Sequence, residues 1–253
     1  MFEVRRQLRR ALSHARLKAL GIMGVRNGQH CCACDTDVPG FYFHSYRPFG
    51  CPSCSSSPRE RFMMYAWKNG LIPPPERGGR FLHLAPGERN IVRYLRSFGE
   101  WIGGDIDPRR YGPDAIHVDL TTMSFKKPFD VIYASHVLEH IPDDRLAMRQ
   151  IRDHLTPSGC AVILVPLRGD ETEEGGPGLS AQERHKRFGQ WDHVRQYGMD
   201  IVERLEEEGL SVTIIDSKNT GSHTIKKYGF ETHGYDGREE TDRVFLCRRR
   251  NDG

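Results

Sequence analysis

Cys31 and Cys34 form one Cys-x-x-Cys pair and Cys51 and Cys54 a second, with sixteen residues between the pairs. Each pair presents two thiolates from one tight turn, and four thiolates suit a tetrahedral Zn²⁺ site with a small ribbon between the knuckles. Gly50 before Cys51 and the small residues after Cys54 fit such turns, and Cys32 is left spare. Four thiolates leave no open position for a substrate, so the expected role is structural. A rubredoxin-like iron site uses the same ligand types; zinc is the expectation taken forward.

A second set of reactive side chains is strung between Arg80 and Tyr197. Asp105 ends the run Trp101-Ile102-Gly103-Gly104, and Asp119-Leu120 follows. Ser135-His136-Val137-Leu138-Glu139-His140 follows the run Phe129 to Ala134. Further on, 183–198 carries His185, Trp191, Asp192, His193, Arg195 and Tyr197. Histidine titrates in the range a general base needs. His193 is the leading candidate for that role, with a carboxylate and a cation close by in sequence. Adjacent residues need not face one another, so an Asp192–His193 pair is not assumed. His185 and His140 compete with it, and tethering its loop to the sheet is the alternative role for His193.

The elements that must position these residues are legible in the apolar pattern. Phe81-Leu82-His83-Leu84 is a short strand that breaks at Ala85-Pro86-Gly87-Glu88, after which Ile91, Val92, Tyr94 and Leu95 recur at helical spacing. Phe129 to Ala134 and Cys160 to Val165 are two further apolar strands. Such runs separated by helical patterns imply a parallel sheet with helices on both faces, whose ligand lies beyond the strands' carboxyl ends. Cys160 and Cys247 read as small core residues.

The flanking segments are plainer. Met1 to Leu20 is a basic helix in which Leu8, Leu12, Leu17 and Leu20 are expected to pack on the rest of the protein; contact with phosphates or an anionic surface is the lesser reading. Arg59 to Leu71 reads as a helix leaving the cysteine module, and Pro73-Pro74-Pro75 as a stiff connector and domain boundary. Leu167 to Leu179, rich in glycine and acid, reads as a mobile loop at the ligand end. Met199 to Glu208 is expected to be helical. Ser211 to Asp216 and Arg243 to Cys247 are expected to be the last strands, an antiparallel pair at the end of the sheet joined by a polar loop over 221–241.

Composition sets outer limits. The 253 residues, 37% hydrophobic and 28% charged, suit one sizeable core plus a small module. No apolar run approaches the ~20 residues a membrane helix needs, and the first residues lack the apolar stretch of a secretory leader. The formal charge of +3 does not by itself argue for nucleic acid. Five of the seven cysteines between Cys31 and Cys54 fit metal binding in a reducing compartment, so a cytoplasmic location is expected.

In this order the segments resemble a class I S-adenosylmethionine-dependent methyltransferase, of the type 11-like kind, over about residues 80–249. Phe81 to Gly87 resembles the first-strand motif, Asp105 the acid ending the second strand, and Asp119-Leu120 the adenine-side motif. Phe129 to Pro142, with its His-Val-Leu-Glu-His-Ile-Pro core, resembles the fourth motif, and Leu155 to Gly159 the turn before the fifth strand. The resemblance implies a Rossmann-like, doubly wound, seven-stranded and mainly parallel α/β sheet, with S-adenosylmethionine held by Ala85, Gly87, Asp105, Asp119, Leu120, Ser135 and His136. Gly87 lets the turn approach the cofactor closely, Asp105 accepts from two ribose hydroxyls, and Asp119 accepts from the adenine amino group beside the apolar face of Leu120. Ala85 and Arg89 stand where the family's turn usually has glycines, and His83 where an acid is common. A cysteine module at the N-terminus is an addition found in some relatives only.

The expected organisation is a basic helix over 1–27, a zinc-ribbon module over 28–60, a helix and Pro-rich linker over 61–79, and a cofactor-binding domain over 80–253. The expected activity is methyl transfer to a small-molecule acceptor, a sugar or secondary metabolite. RNA is the alternative acceptor, since some zinc-bearing relatives modify ribosomal RNA, but no aromatic-rich single-strand platform supports it. A noncatalytic zinc-ribbon binding protein with a degenerate nucleoside fold is the reading from another class.

Overall fold

A computed structural model of the chain describes residues 2–44, 47–176, 178–230, 232–233, 239–240 and 243–250. The apolar runs form the strands β1 (Arg80–Leu84), β2 (Glu100–Asp105), β3 (Ala115–His117), β4 (Phe129–Ser135), β5 (Leu155–Leu164), β6 (Leu210–Asp216) and β7 (Arg243–Arg249). They make one seven-stranded sheet in the order β6-β7-β5-β4-β1-β2-β3. Strands β1 to β5 pair in parallel, and β7 runs antiparallel to β5.

The continuous hydrophobicity of the central strands follows from burial on both faces. In β4 only Asp130 is not fully buried, and Leu82, Leu84, Ile132, Ala134, Ala161 and Ile163 share one core with Leu138, Ile151, Tyr197 and Leu205. The strand order reverses at β1 and β4, which places a crevice beyond Leu84 and Ser135. The expected turn over 155–159 is instead an irregularity inside β5: Phe129 faces Leu155, but Val131 already faces Cys160.

Two compact units are distinguished by their internal contacts, one of residues 1–74, 88–94 and 215–243, the other of 75–87, 95–214 and 244–253. The division at Pro74 coincides with the proline run, but the first unit also takes in 88–94 and 215–243, which the linear segmentation assigned to the cofactor domain.

Within the first unit, the polar loop expected over 221–241 contains a helix, Ser222–Tyr228, ended by Gly229 in the left-handed region. A side chain at Gly229 would also meet Phe41. Tyr228 stacks on Phe230, which is itself buried. Residues 231, 234–238 and 241 of that loop lie outside the described residues. Arg61, on the helix Pro58–Lys68, is fully buried. It donates to the carbonyls of Phe49, Ser56, Tyr228 and Gly229 at 2.6 to 2.9 Å, with its guanidinium 3.8 Å above the Phe41 ring. One cation thereby ties three segments together.

The N-terminal helix runs from Phe2 to Ile22. It meets the cysteine module through Ser13, whose hydroxyl accepts from the Phe43 backbone N–H, and through His14, which lies over Tyr42. Leu8 and Leu12, expected to pack, are exposed.

Candidate functional site

The four cysteine sulfurs expected to bind metal converge. Those of Cys31, Cys34, Cys51 and Cys54 all lie within 4.8 Å of one another. Cys31 is 3.7 Å from Cys54, and Cys34 is 3.9 Å from Cys51. Those distances are too long for disulfides, whose sulfurs sit about 2.05 Å apart. They match the edge of a tetrahedron with Zn–S bonds of about 2.3 Å, which is about 3.8 Å. Asp35 and Ser55, each following the second cysteine of its knuckle, take left-handed backbone, as two tight turns require. Cys32 stands apart and donates its thiol to the Arg61 carbonyl at 2.9 Å. Burial, followed by the neighbouring Cys31 thiolate, pushes Cys32 up to about 12, which suits a packing thiol.

In the second unit, the carboxyl ends of β1, β2 and β4 carry the residues expected to hold the nucleoside. Ala85 follows β1 with φ near +49°, the conformation a glycine would take without strain. A Cβ at Gly87 would make only ordinary contacts, with Tyr111 and Ala85 at 3.7 and 3.8 Å. The chain's own packing therefore does not demand glycine there, and a ligand lying against that backbone would. Asp105 uses Oδ1 to accept the Asp107 backbone N–H at 2.8 Å. Asp107 is engaged by Arg109, whose hydrogen bonds hold its carboxyl below the usual range. Asp105 is accordingly the better placed of the two for a ribose. Asp119 accepts both the hydroxyl and the backbone N–H of Thr121 through Oδ1, and the hydroxyl bond is the main reason its carboxyl is held low. Leu120 is buried in the core, so only its backbone is left for a ligand. His83 is fully buried and packs edge-on against Tyr133 and Trp101.

Beyond β4 the histidines gather. His136 takes a left-handed conformation (φ 54°), the second non-glycine residue after a sheet strand to do so. Its Nδ1 lies 3.2 Å from Oε1 of Glu139. Leu138–His140 is a single 3-10 turn, and Arg195 binds carbonyls in it and just after it. That buried guanidinium donates to Leu138, Ile141 and Pro142 and pairs with Asp144 and Glu174. Tyr197, also buried, donates its hydroxyl to Asp144 at 2.7 Å. The Val194 N–H donates to the Glu139 carbonyl. These bonds hold 193–197 against the turn.

The result brings His193 against His140, ring centroids 4.7 Å apart and edge to face. His193 is buried, and its Nδ1 lies 3.1 Å from the Phe188 carbonyl. Donation there puts the proton on Nδ1 and leaves Nε2 with a lone pair. Desolvation lowers its pKa, so the ring is neutral near neutrality. Asp192 faces His140 Nδ1 at 3.4 Å rather than the histidine beside it in sequence. His185, on the helix Ala181–Phe188, is exposed, and the structure does not bring it to this group. Sequence reasoning passed over Glu139, whose side chain is 0% exposed. Burial is the largest influence and opposes its ionisation, but His136, with lesser help from the backbone and His140, holds the carboxyl below its usual range. The adjacency of Glu139 and His140 in the fourth motif was the available signal. The loop over 167–179 is partly tied down, since Glu173–Glu174 pairs with Arg195–Gln196; Pro177 lies outside the described residues.

A family model described as a methyltransferase domain matches residues 59–213. Among solved structures, a putative sarcosine dimethylglycine methyltransferase from Galdieria sulphuraria is similar at 15% identity and a TM-score of 0.50, over 77% of this chain and 85% of that one. An S-adenosylmethionine-dependent methyltransferase from Mesorhizobium loti is similar at 16% identity and a TM-score of 0.48, over 72% and 97%. A third similar structure is a complex between the Haloferax volcanii Trm112 methyltransferase activator and a putative methyltransferase, at 14% identity and a TM-score of 0.49, over 76% and 94%. No curated protein matches. No helix among the described residues is long and apolar enough to cross a membrane.

Proposed function

We propose, for a chain that belongs to the methyltransferase-domain family and is an S-adenosylmethionine-dependent enzyme, that its acceptor is a small molecule bound beside Glu139, His140 and His193. The observation that carries this reading is the meeting of those side chains beyond β4, at the same end of the parallel sheet as Ala85, Gly87 and Asp105. When bound, S-adenosylmethionine supplies an electrophilic methyl group on a sulfonium sulfur.

The residues then divide the work. Gly87 gives the donor's amino-acid end close access to the backbone, and Asp105 accepts from the ribose hydroxyls. Asp119 accepts from the adenine amino group through its remaining oxygen, with Ser135 and His136 lining the crevice at the end of β4. The acceptor must be aligned with the S–CH₃ bond, and such positioning carries much of the rate. A hydroxyl acceptor must also lose its proton. His193, neutral and with Nε2 unprotonated, is the group best prepared to take it; His140 is the second.

The Cys31, Cys34, Cys51 and Cys54 set is proposed to hold a structural Zn²⁺, in keeping with its tetrahedral sulfur spacing. A small acceptor is preferred to RNA because the reactive groups are held by buried arginine and tyrosine.

A screen of sugars, phenols and hydroxylated metabolites with a methyl-labelled donor tests the reading. Label is expected in a small-molecule product and to be lost in His193→Ala. Label appearing only in RNA would overturn the acceptor class.

A further inference from the structure

Glu139, His140 and His193 each bring a ligand atom to one place, all within 4.8 Å of one another, and they do so outside the cysteine cluster. Two imidazoles and one carboxylate form a donor set of borderline softness, suited to first-row divalent metals rather than to magnesium or calcium. A cation about 2.1 Å from each donor in a tetrahedral arrangement needs them about 3.4 Å apart, so the three side chains draw together when it binds.

Two further observations point to a ligand at this place. Glu139 is completely buried, yet among the described residues neither carboxylate oxygen receives a hydrogen bond. His136 approaches one oxygen at 3.2 Å, an ion-pair contact without hydrogen-bond geometry. With one imidazole contact, this fully buried carboxylate keeps acceptor positions that a cation would fill. The second observation is the outer partner of each imidazole. His193 Nδ1 lies 3.1 Å from the Phe188 carbonyl, and His140 Nδ1 lies 3.4 Å from Asp192 Oδ2. Metal-binding histidines characteristically donate one ring N–H to a carbonyl or carboxylate, which fixes the tautomer and frees the other nitrogen for the metal. His193 has that arrangement, and His140 has a carboxylate facing its Nδ1.

We propose that Glu139, His140 and His193 bind one divalent first-row transition metal ion, such as zinc, manganese, iron(II), cobalt or nickel, beyond the end of β4. Three protein ligands leave coordination positions open, as catalytic sites do and the four-cysteine site does not. On the methyl-transfer reading, from which this step alone follows, an acceptor oxygen occupies an open position. Coordination there orients it and lowers the pKa of its hydroxyl. The acceptor class is then one with a metal-binding hydroxyl or pair of oxygens. With the ion bound, His193 holds it and the acidified hydroxyl releases its proton to water; without the ion, His193 keeps the role of base.

Cobalt(II) titration of the full chain, isolated with zinc at its cysteines, tests the site without any acceptor. One further equivalent is expected to bind, with visible d–d absorption and no sulfur-to-cobalt charge-transfer band. His140→Ala, at a half-exposed position, and Glu139→Gln are each expected to weaken binding at least tenfold. Asp192→Asn, which alters only an outer partner, is expected to weaken it about tenfold. Excess magnesium is expected not to displace the cobalt. No second equivalent, a thiolate band alone, or equal affinity in wild type and His140→Ala would overturn the site. Methyl transfer persisting in a chain that fails to bind cobalt removes the metal and leaves the enzymatic reading standing. Cobalt binding in a chain that transfers no methyl group to any small molecule removes the acceptor reading and leaves the site.

Discussion

Asp192 faces His140, at 3.4 Å, and not His193, the residue beside it in sequence. The pairing follows from how 193–197 is held. Val194 bonds the Glu139 carbonyl, and Arg195 gathers the carbonyls of Leu138, Ile141 and Pro142. His193 is directed inward to Phe188, and Asp192 meets the half-exposed His140.

That arrangement separates the three histidines by consequence. His193→Ala and His140→Ala should each lower kcat by roughly a hundredfold or more, the usual range for losing a proton-transfer group. Donor affinity should stay almost intact in both, and His185→Ala should turn over at a near-native rate. Steady-state kinetics with calorimetry on the same proteins measures the split. Near-native turnover in His193→Ala removes His193 from the chemistry.

Asp105→Ala addresses the donor side. It deletes the acceptor of two ribose hydrogen bonds, each about 1.5–3 kcal/mol before compensation because the acceptor is charged. Calorimetric affinity for S-adenosylmethionine should fall at least tenfold while circular dichroism is unchanged. Unaltered affinity would mean that the end of β2 does not carry the ribose.

The parts of this protein legible in its sequence are those whose signal is local. Two cysteine knuckles announce four converging sulfurs because the two of each knuckle sit within one turn. The central strands announce themselves because burial on both faces leaves unbroken apolar runs. Strand β3 gave no such signal, since Ala115-Ile116-His117 is a three-residue edge strand. The helix Ser222–Tyr228 is polar apart from Ile225 and Tyr228, and its C-terminal end is held by Arg61, distant in sequence. Glu139 looked like an ordinary charge within a motif. Only the closure of 193–197 over it makes it a buried carboxylate among histidines.

Zinc should be found at about one equivalent per chain when protein is purified without chelator. Metal binding and folding of residues 28–60 should be coupled, so chelation should unfold that segment. Replacing both Cys51 and Cys54 by Ser should abolish retention, whereas Cys32→Ser should not, because its thiol is turned to the Arg61 carbonyl. Elemental analysis decides it. Zinc retained at full stoichiometry by the double variant would contradict the assignment.

Glu60 supplies a test of electrostatics in the first unit. Its buried carboxylate accepts both the backbone N–H and the side-chain amide of Asn90, at 2.8 and 2.9 Å, through one oxygen. Those bonds fall in the first turn of the helix Arg89–Arg96, where a negative charge gains about 0.3–1 kcal/mol from the helix dipole. Desolvation acts the other way and prevails, since the net effect is to raise the Glu60 pKa. A carboxyl with a raised folded pKa holds its proton longer in the folded state than in the unfolded one. Stability therefore falls as pH rises from the unfolded value, about 4.3, through the folded value, and the cost of the buried charge is fully present above both. Glu60→Gln keeps an oxygen that can accept from Asn90 and removes the charge. At neutral pH the variant should be at least as stable as the wild type in urea. The difference should shrink as pH falls through the carboxyl range and vanish below about pH 4. A variant less stable than wild type at neutral pH, by an amount that grows with pH, would show that the helix terminus, and not desolvation, governs this carboxylate.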